Sequence, residues 1–133
     1  MNELTGLGKK IWVIPEGYIP EYSSLKKGKH NYSDKALESH ETFCVLNTNT
    51  VDAHIQLTIF FSDKDPIDTY KLVVPARRTK HFRFNDLAEP MIEEGTDFSS
   101  VIQSDVPVIV QHTRLDSRQA EISLLSTIAY PCN

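Results

Sequence analysis

The sequence predicts an all-β protein, an antiparallel β-sandwich of about eight strands. Residues 52–61 alternate apolar and polar side chains with the two-residue period of a strand that has one face in a core. Further runs are rich in β-branched and aromatic residues, and turn-forming Asn, Asp and Pro residues separate them. Short strands at regular spacing are typical of a sandwich or barrel.

Eight runs along the chain are predicted strands. They are residues 10–14, 41–47, 52–61, 69–74, 78–84, 99–104, 107–114 and 121–130. In the third run the residues that share the apolar face are Ala53, Ile55, Leu57, Ile59 and Phe61. The stretches 43–46 and 106–110 are apolar on both faces, which predicts central strands or strands packed against another subunit. The last run begins with helix formers, but its end favours a strand.

The connections between the runs carry turn chemistry. Asn and Asp residues at 47–49, 63–66 and 85–86 predict turns, as does Asp105 ahead of Pro107. Residues 86–89 can form a single helical turn, which Pro90 ends. Residues 21–38, which include the lysine-rich stretch 24–35, lack periodicity, so they are predicted to be a mobile loop.

Length and composition restrict the class of protein. A chain of 133 residues is near the modal size of one domain, so we expect residues 1–133 to form a single domain. The formal net charge of −4 argues against a surface that binds nucleic acid over its whole extent. The sequence lacks a signal segment and a long apolar stretch, so we expect a cytoplasmic protein without membrane insertion. The two cysteines, Cys44 and Cys132, are expected to be reduced.

The densest charged segment is residues 77–83. Extended geometry puts Arg77, Thr79, His81 and Arg83 on one face, where they can hold a phosphate, a carboxylate or a nucleic-acid backbone. The alternative is a solvated sheet edge, where basic side chains prevent pairing with another edge. Acidic residues follow at 86–97 and can neutralise part of the patch.

Two further motifs combine polar and aromatic residues. In residues 110–119 an apolar strand becomes polar as it leaves the core, so His112 and Arg114 can face a ligand or a subunit interface. Residues 12–20 combine Trp12 with Glu16, as sugar sites do, although a lone Trp is more often part of a core.

Enzyme signatures are scarce. The sequence contains no P-loop, GxGxxG, GxSxG, HExxH or CxxC motif, and the histidines show no strong metal-ligand spacing. A metal-dependent enzyme acting on a sugar derivative is still an alternative, if distant side chains converge as metal ligands or as acid/base groups. Its candidate residues are His40, Glu41, His81 and His112.

Five stretches carry a family resemblance. They are Trp12 with residues 16–20, and residues 39–42, 62–66, 75–81 and 110–119. In these stretches the chain resembles the soluble sensory-rhodopsin transducer family, and the resemblance covers nearly the whole chain. It implies a sandwich similar to carbohydrate-binding modules, assembled as a homotetramer, that relays a rhodopsin signal, binds DNA or binds a sugar-like molecule. The stretch 24–35 is longer than the resemblance leads us to expect.

The leading hypothesis is a non-enzymatic signalling or regulatory accessory that forms homo-oligomers. It binds a small polar or sugar-like ligand, a protein partner such as a membrane photoreceptor, or both, without a metal or other cofactor. The candidate ligand-binding residues are Arg77, Arg78, His81, His112 and Arg114. The alternative from another class is a DNA-binding transcriptional regulator. Its candidate phosphate contacts are Arg77, Arg78, Lys80 and Arg83.

Overall fold

Eight strands make up most of the chain that the computed structural model describes, which is residues 4–19, 39–116 and 123–132. They are β1 (Lys9–Tyr18), β2 (His40–Asn47), β3 (Ala53–Phe61), β4 (Ile67–Val74), β5 (Arg78–Arg83), β6 (Asp97–Asp116), β7 (Ser123–Ile128) and β8 (Tyr130–Cys132). The predicted mobile loop at 21–38 lies outside the described residues, which begin again at Ser39. None of the helical structure in these ranges is long and apolar enough to cross a membrane.

One long strand, β6, belongs to both sheets of the sandwich. Its first half pairs with β1 and β3, and its second half pairs with β2 and β7. The first sheet therefore has the order β4-β3-β6-β1-β8, and the second has the order β5-β2-β6-β7. All of these pairs are antiparallel, and one hydrophobic core lies between the sheets, which confirms the predicted sandwich.

The turn predicted at Asp105 is wrong, because β6 continues through it for 20 residues. One carboxylate oxygen of Asp105 accepts the backbone N–H of His54 at 2.8 Å, and the other lies 3.0 Å from Nδ1 of the imidazole. Pro107 has no N–H to donate, and its carbonyl accepts from Asn49 Nδ2 at 2.8 Å. Side chains thus replace ladder partners at the point where the strand passes from one sheet to the other.

The core follows the predicted alternation. The inward face of β3 is confirmed by four buried residues, Ala53, Ile55, Leu57 and Ile59. β2 is a central strand between β5 and β6, as its apolar run predicts. Phe43 and Val45 are fully buried, whereas Cys44 and Leu46 point to the opposite face, where Leu46 is 39% exposed. The second face of the apolar run 43–46 is therefore part of a partly exposed outer surface.

Two predicted boundaries need correction. The run at 121–130 is divided into β7 and β8 at Ala129, whose N–H donates to the carbonyl of Val110 on β6 at 3.1 Å before the chain passes from β6 to pair with β1 as β8. The helical turn expected at 86–89 occurs earlier, as a 3-10 turn over Phe84–Asp86, because Phe84 anchors it in the core. Cys44 and Cys132 are free.

Gly8 shows how closely β1 approaches β6. It has a φ of +100°, and a Cβ placed on it would lie 1.9 Å from the carbonyl oxygen of Val108. We therefore expect Gly8→Ala to lower the free energy of unfolding by roughly 3 kcal/mol or more, from left-handed strain together with a backbone clash. Chemical denaturation measures this loss.

Gly6 provides the matched control for that substitution. Its φ is +76°, but a Cβ there would have nothing within 4 Å. Gly6→Ala should therefore cost only about 1–2 kcal/mol, the strain of a left-handed alanine. Equal losses for the two variants would contradict the close approach of β1 to β6.

Candidate ligand-binding site

A buried carboxylate, Glu41, lies at the centre of a polar cluster that joins β1, β2 and β6. Arg114 forms a bidentate interaction with it, in which Nε donates to Oε1 at 2.9 Å and Nη2 donates to Oε2 at 3.2 Å. His112 Nε2 lies 3.1 Å from Oε1. The strand register explains the cluster, because Arg114 of β6 is paired directly with Glu41 of β2, and His112 is paired with the next inward residue of β2, Phe43.

The same carboxylate connects the second sheet to the first. The backbone N–H of Tyr18, at the end of β1, donates to Oε2 of Glu41 at 2.9 Å. The N–H of Glu41 itself donates to Asn85 Oδ1 at 3.1 Å, and Asn85 Nδ2 donates to the carbonyl of Ser39 at 3.0 Å. Glu41 is therefore a junction of β1, β2 and β6, with no exposed surface of its own.

The electrostatics keep Glu41 and Arg114 ionised. Burial alone raises the pKa of Glu41, but hydrogen bonds from His112, Arg114 and the Tyr18 N–H outweigh it and hold the pKa below its ordinary value of 4.5. The hydrogen bond to Glu41 raises the pKa of Arg114, against the opposing effect of burial. Glu41 and Arg114 thus form a pair of opposite charges at neutral pH, in which Glu41 is fully buried and Arg114 is partly exposed.

An open pocket of about 380 Å³ lies beside the cluster, between β1 and the β7–β8 segment. Its size is within the range of small-molecule sites. Apolar side chains form most of the wall, and Tyr130, which is 67% exposed, adds an aromatic ring. The polar groups of the wall are Glu16, His112, Arg114 and Thr127.

The polar groups of the pocket are only partly free to meet a ligand. Arg114 uses Nε and Nη2 on Glu41, so Nη1 is its remaining nitrogen, 3.9 Å from Oε2 of the largely exposed Glu16. The Nε2 atom of His112 is also committed to Glu41. The two glutamates, Glu16 and Glu41, and Arg114 together carry one net negative charge. A polar uncharged ligand therefore suits the pocket better than an anion.

The structure brings together two of the five predicted ligand-binding residues, His112 and Arg114. Arg77 lies in the turn before β5, with a φ of 55°, and Arg78 and His81 lie on β5, where all three are exposed. The residues predicted to contact DNA do not share one face of β5 either. Strand alternation puts Lys80 with Arg78 on one face of β5 and Arg83 on the other. A ligand or DNA role for these residues stays a prediction.

The predicted metal ligands do not converge. Glu41 and His112 point inward, whereas His40 and His81 occupy the outward positions of β2 and β5. Among the described residues, no group of three His, Cys, Asp or Glu side chains is arranged to hold a metal ion. Trp12 is part of the core rather than a platform, since it is 4% exposed and its Nε1 donates to the carbonyls of Lys9 and Val108.

The comparisons with known proteins agree with this architecture. The family model of the Anabaena sensory rhodopsin transducer matches residues 7–131. The chain belongs to the Anabaena sensory rhodopsin transducer family. The match reaches from the residue before Gly8 to β8, so it includes every strand and the pocket of this transducer-family protein.

Two solved structures resemble this transducer-family chain. A structure of the Anabaena sensory rhodopsin transducer is 51% identical, with a TM-score of 0.66, over 80% of this chain and 98% of that one. The crystal structure of Thermotoga maritima 1070 is 30% identical, with a TM-score of 0.77, over 93% of this chain and 95% of that one. No curated protein matches the sequence. The family predicted from the sequence motifs is thus confirmed.

Proposed function

We propose that this chain is a non-enzymatic signalling accessory whose pocket, formed by β1, β6 and the β7–β8 segment, binds a small sugar-like molecule. Membership of the transducer family supports a signalling accessory role. The observation that carries the ligand proposal is the position of Arg114, which contacts the pocket with one side and holds Glu41 with the other. A ligand that contacts Arg114 thus acts on the junction of three strands.

The wall of the pocket favours a hydroxylated ring. Tyr130 and the surrounding apolar side chains provide a surface for the apolar face of a sugar. The Glu16 carboxylate and the Thr127 hydroxyl accept or share hydrogen bonds from hydroxyl groups, and Nη1 of Arg114 donates one. The net negative charge of these groups disfavours phosphorylated sugars.

The partner of the accessory belongs to the same proposal. The transducer family suggests a rhodopsin-like receptor as the kind of partner. Apolar side chains on β7 and β8 favour assembly into homo-oligomers, since Leu124, Leu125, Ile128 and Tyr130 are each more than half exposed. Light scattering at micromolar concentration tests that assembly, and a monomer there would remove it from the proposal. The cytoplasm is the compartment that these roles require.

A thermal-shift screen of neutral sugars, sugar phosphates, organic acids and short duplex DNA tests the pocket. We expect a neutral sugar-like compound to raise the melting temperature by roughly 5–10 °C at a hundredfold excess over its Kd. Glu16→Gln and Tyr130→Ala, both at exposed positions, should each weaken its binding at least tenfold. Both variants should keep the melting temperature of the free protein near its original value.

Glu93→Gln is the matched control, because Glu93 is an exposed carboxylate that does not line the pocket. It should bind the compound as the original protein does. A shift by duplex DNA alone, steeply weakened by salt, would instead support the nucleic-acid hypothesis. Equal weakening by Glu16→Gln and Glu93→Gln would indicate a general charge effect and contradict the pocket.

A further inference from the structure

Arg83, the last residue of β5, has two guanidinium nitrogens without a hydrogen-bond acceptor. Its Nε and Nη2 atoms are buried, and no residue in the described ranges accepts from them. These are the two nitrogens with which Arg114 holds Glu41. Arg83 therefore offers the same pair of donors as Arg114, the Nε–H and Nη2–H groups on one side of the guanidinium, which we call the fork. Within those ranges the fork of Arg83 has no carboxylate for a partner.

This arrangement is unfavourable for the protein alone. A buried donor without a partner costs about 1–3 kcal/mol, and more when the group is charged. Buried charges in folded proteins are accordingly paired. The ion pairs found in the described part of the chain involve Arg114, His54 and His112 but not Arg83. An acceptor from outside these ranges is therefore needed to satisfy the fork.

The row of outward side chains that contains Arg83 is polar and free of acids. The strand register places Arg83, Thr42, Thr113 and Ser126 in one row across the outer face of the second sheet. Thr113 Oγ1 and Ser126 Oγ lie 3.1 Å apart, which shows that the row is continuous at that end. None of the outward positions of β5, β2, β6 and β7 that this register defines carries a carboxylate.

We propose that Arg83 anchors a second binding site, for a small soluble oxyanion such as a carboxylate or a phosphate monoester. The side-on fork offers two parallel N–H donors, which match the spacing of two oxygens on one carboxylate or phosphate group. The Thr42 hydroxyl, on the paired position of β2, is a further donor. The rest of the Arg83 side chain is partly exposed on the outer face, so we expect a small anion to enter from that side and to displace the side chains that cover Nε and Nη2.

This site is independent of the sugar-like pocket. The pocket contains Leu125 and Thr127, which are paired with the inward residues Arg114 and His112 of β6. Arg83 and Thr42 lie on the opposite, outward face of the same sheet. The two sites also differ in charge, because the outer row has one arginine and no acid.

Titration with inorganic phosphate at constant ionic strength, balanced with NaCl, tests the site. In the original protein we expect saturable binding and a downfield shift of the Arg83 Nε–H proton resonance, which requires no variant. Arg83→Lys keeps the charge but loses the fork, so it should bind phosphate at least tenfold more weakly. Arg78→Lys on the same strand is the matched control, since Arg78 is exposed and should not affect binding.

Two other variants separate the possible outcomes. Arg83→Met should be as stable as the original protein without phosphate, because it removes an unpaired charge while keeping the aliphatic packing. Glu16→Gln, which alters the other pocket, should leave phosphate binding unchanged. The proposal is overturned if phosphate fails to saturate, if Arg83→Lys binds as well as the original protein, or if Arg78→Lys loses binding equally.

Discussion

Replacing Glu41 with alanine is expected to lower the free energy of unfolding by about 3 kcal/mol, because it leaves Arg114, whose side chain is only 19% exposed, without its counter-charge. The substitution also removes the acceptor for the Tyr18 N–H that connects the first sheet to the second. Urea denaturation followed by circular dichroism measures the loss. A loss below about 1 kcal/mol would mean that the junction contributes little to stability.

The surface pair of His54 and Asp105 is a natural control for the buried pair of His112 and Glu41. The two histidine–carboxylate distances are nearly equal, 3.0 and 3.1 Å, but both side chains of the surface pair are more than half exposed. Asp105→Asn should therefore change the free energy of unfolding by less than about 1 kcal/mol. The contrast between the two variants compares a buried carboxylate with several partners, Glu41, with an exposed carboxylate whose partner is His54.

The buried carboxylate also predicts a pH dependence. Because folding lowers the pKa of Glu41 from its ordinary value of 4.5, its ionised form stabilises the folded state above that pH. The contribution is lost as the pH falls below 4.5 and through the lower folded pKa. Glu41→Gln, which has no proton to gain, should show a smaller loss of stability over this acid range than the original protein. Parallel curves for the two proteins would contradict the lowered pKa.

Asn47→Asp is expected to cost about 3 kcal/mol or more, although it changes a single nitrogen to oxygen. The Nδ2 group of the buried Asn47 donates to the carbonyls of Val51 and Val74, at 2.9 and 3.1 Å. An aspartate would place a charged acceptor against these carbonyls and leave them without a donor. Thermal and urea unfolding measure the effect.

Gln56→Glu makes the same amide-to-carboxylate change on β3, where the Gln56 amide is near solvent and donates to the carbonyl of Asp68 at 3.0 Å. It should cost less than about 1 kcal/mol, because water can replace the lost donor. If the two variants were equally destabilised, the cost of the Asn47 change would come from charge alone. A much larger loss at Asn47 would identify the buried amide as a structural element of the strand junction.

Periodicity predicted the fold well, because a sandwich imposes one rule on every strand. The alternation in residues 52–61 correctly identified the inward face of β3. The continuity of β6 was not predictable, since Asp and Pro at 105–107 favour a turn locally. Only the tertiary partners of Asp105 and Pro107, contributed by His54 and Asn49, keep the strand extended.

The candidate site was predicted only in part. His112 and Arg114 were recognised as polar residues at the end of an apolar strand, and they do line the pocket. Glu41 was considered only as a metal ligand or an acid/base group. The sequence did contain a sign that Glu41 is a buried structural residue. The strand alternation places it on the same inward face as Phe43 and Val45. Its partners His112 and Arg114 lie more than 70 residues away in sequence, so their pairing depends on a strand register that local patterns do not determine.

The shared strand β6 also determines when this protein can fold during its synthesis. Each sheet has β6 next to its central strands, so neither sheet is complete until the ribosome has released the chain beyond residue 116. Until then β1, β2 and β3 lack their common neighbour and have unpaired edges that can associate with other chains. Contacts this distant in sequence also slow folding. The two sheets are therefore completed together, late in synthesis, when β6 becomes available to both.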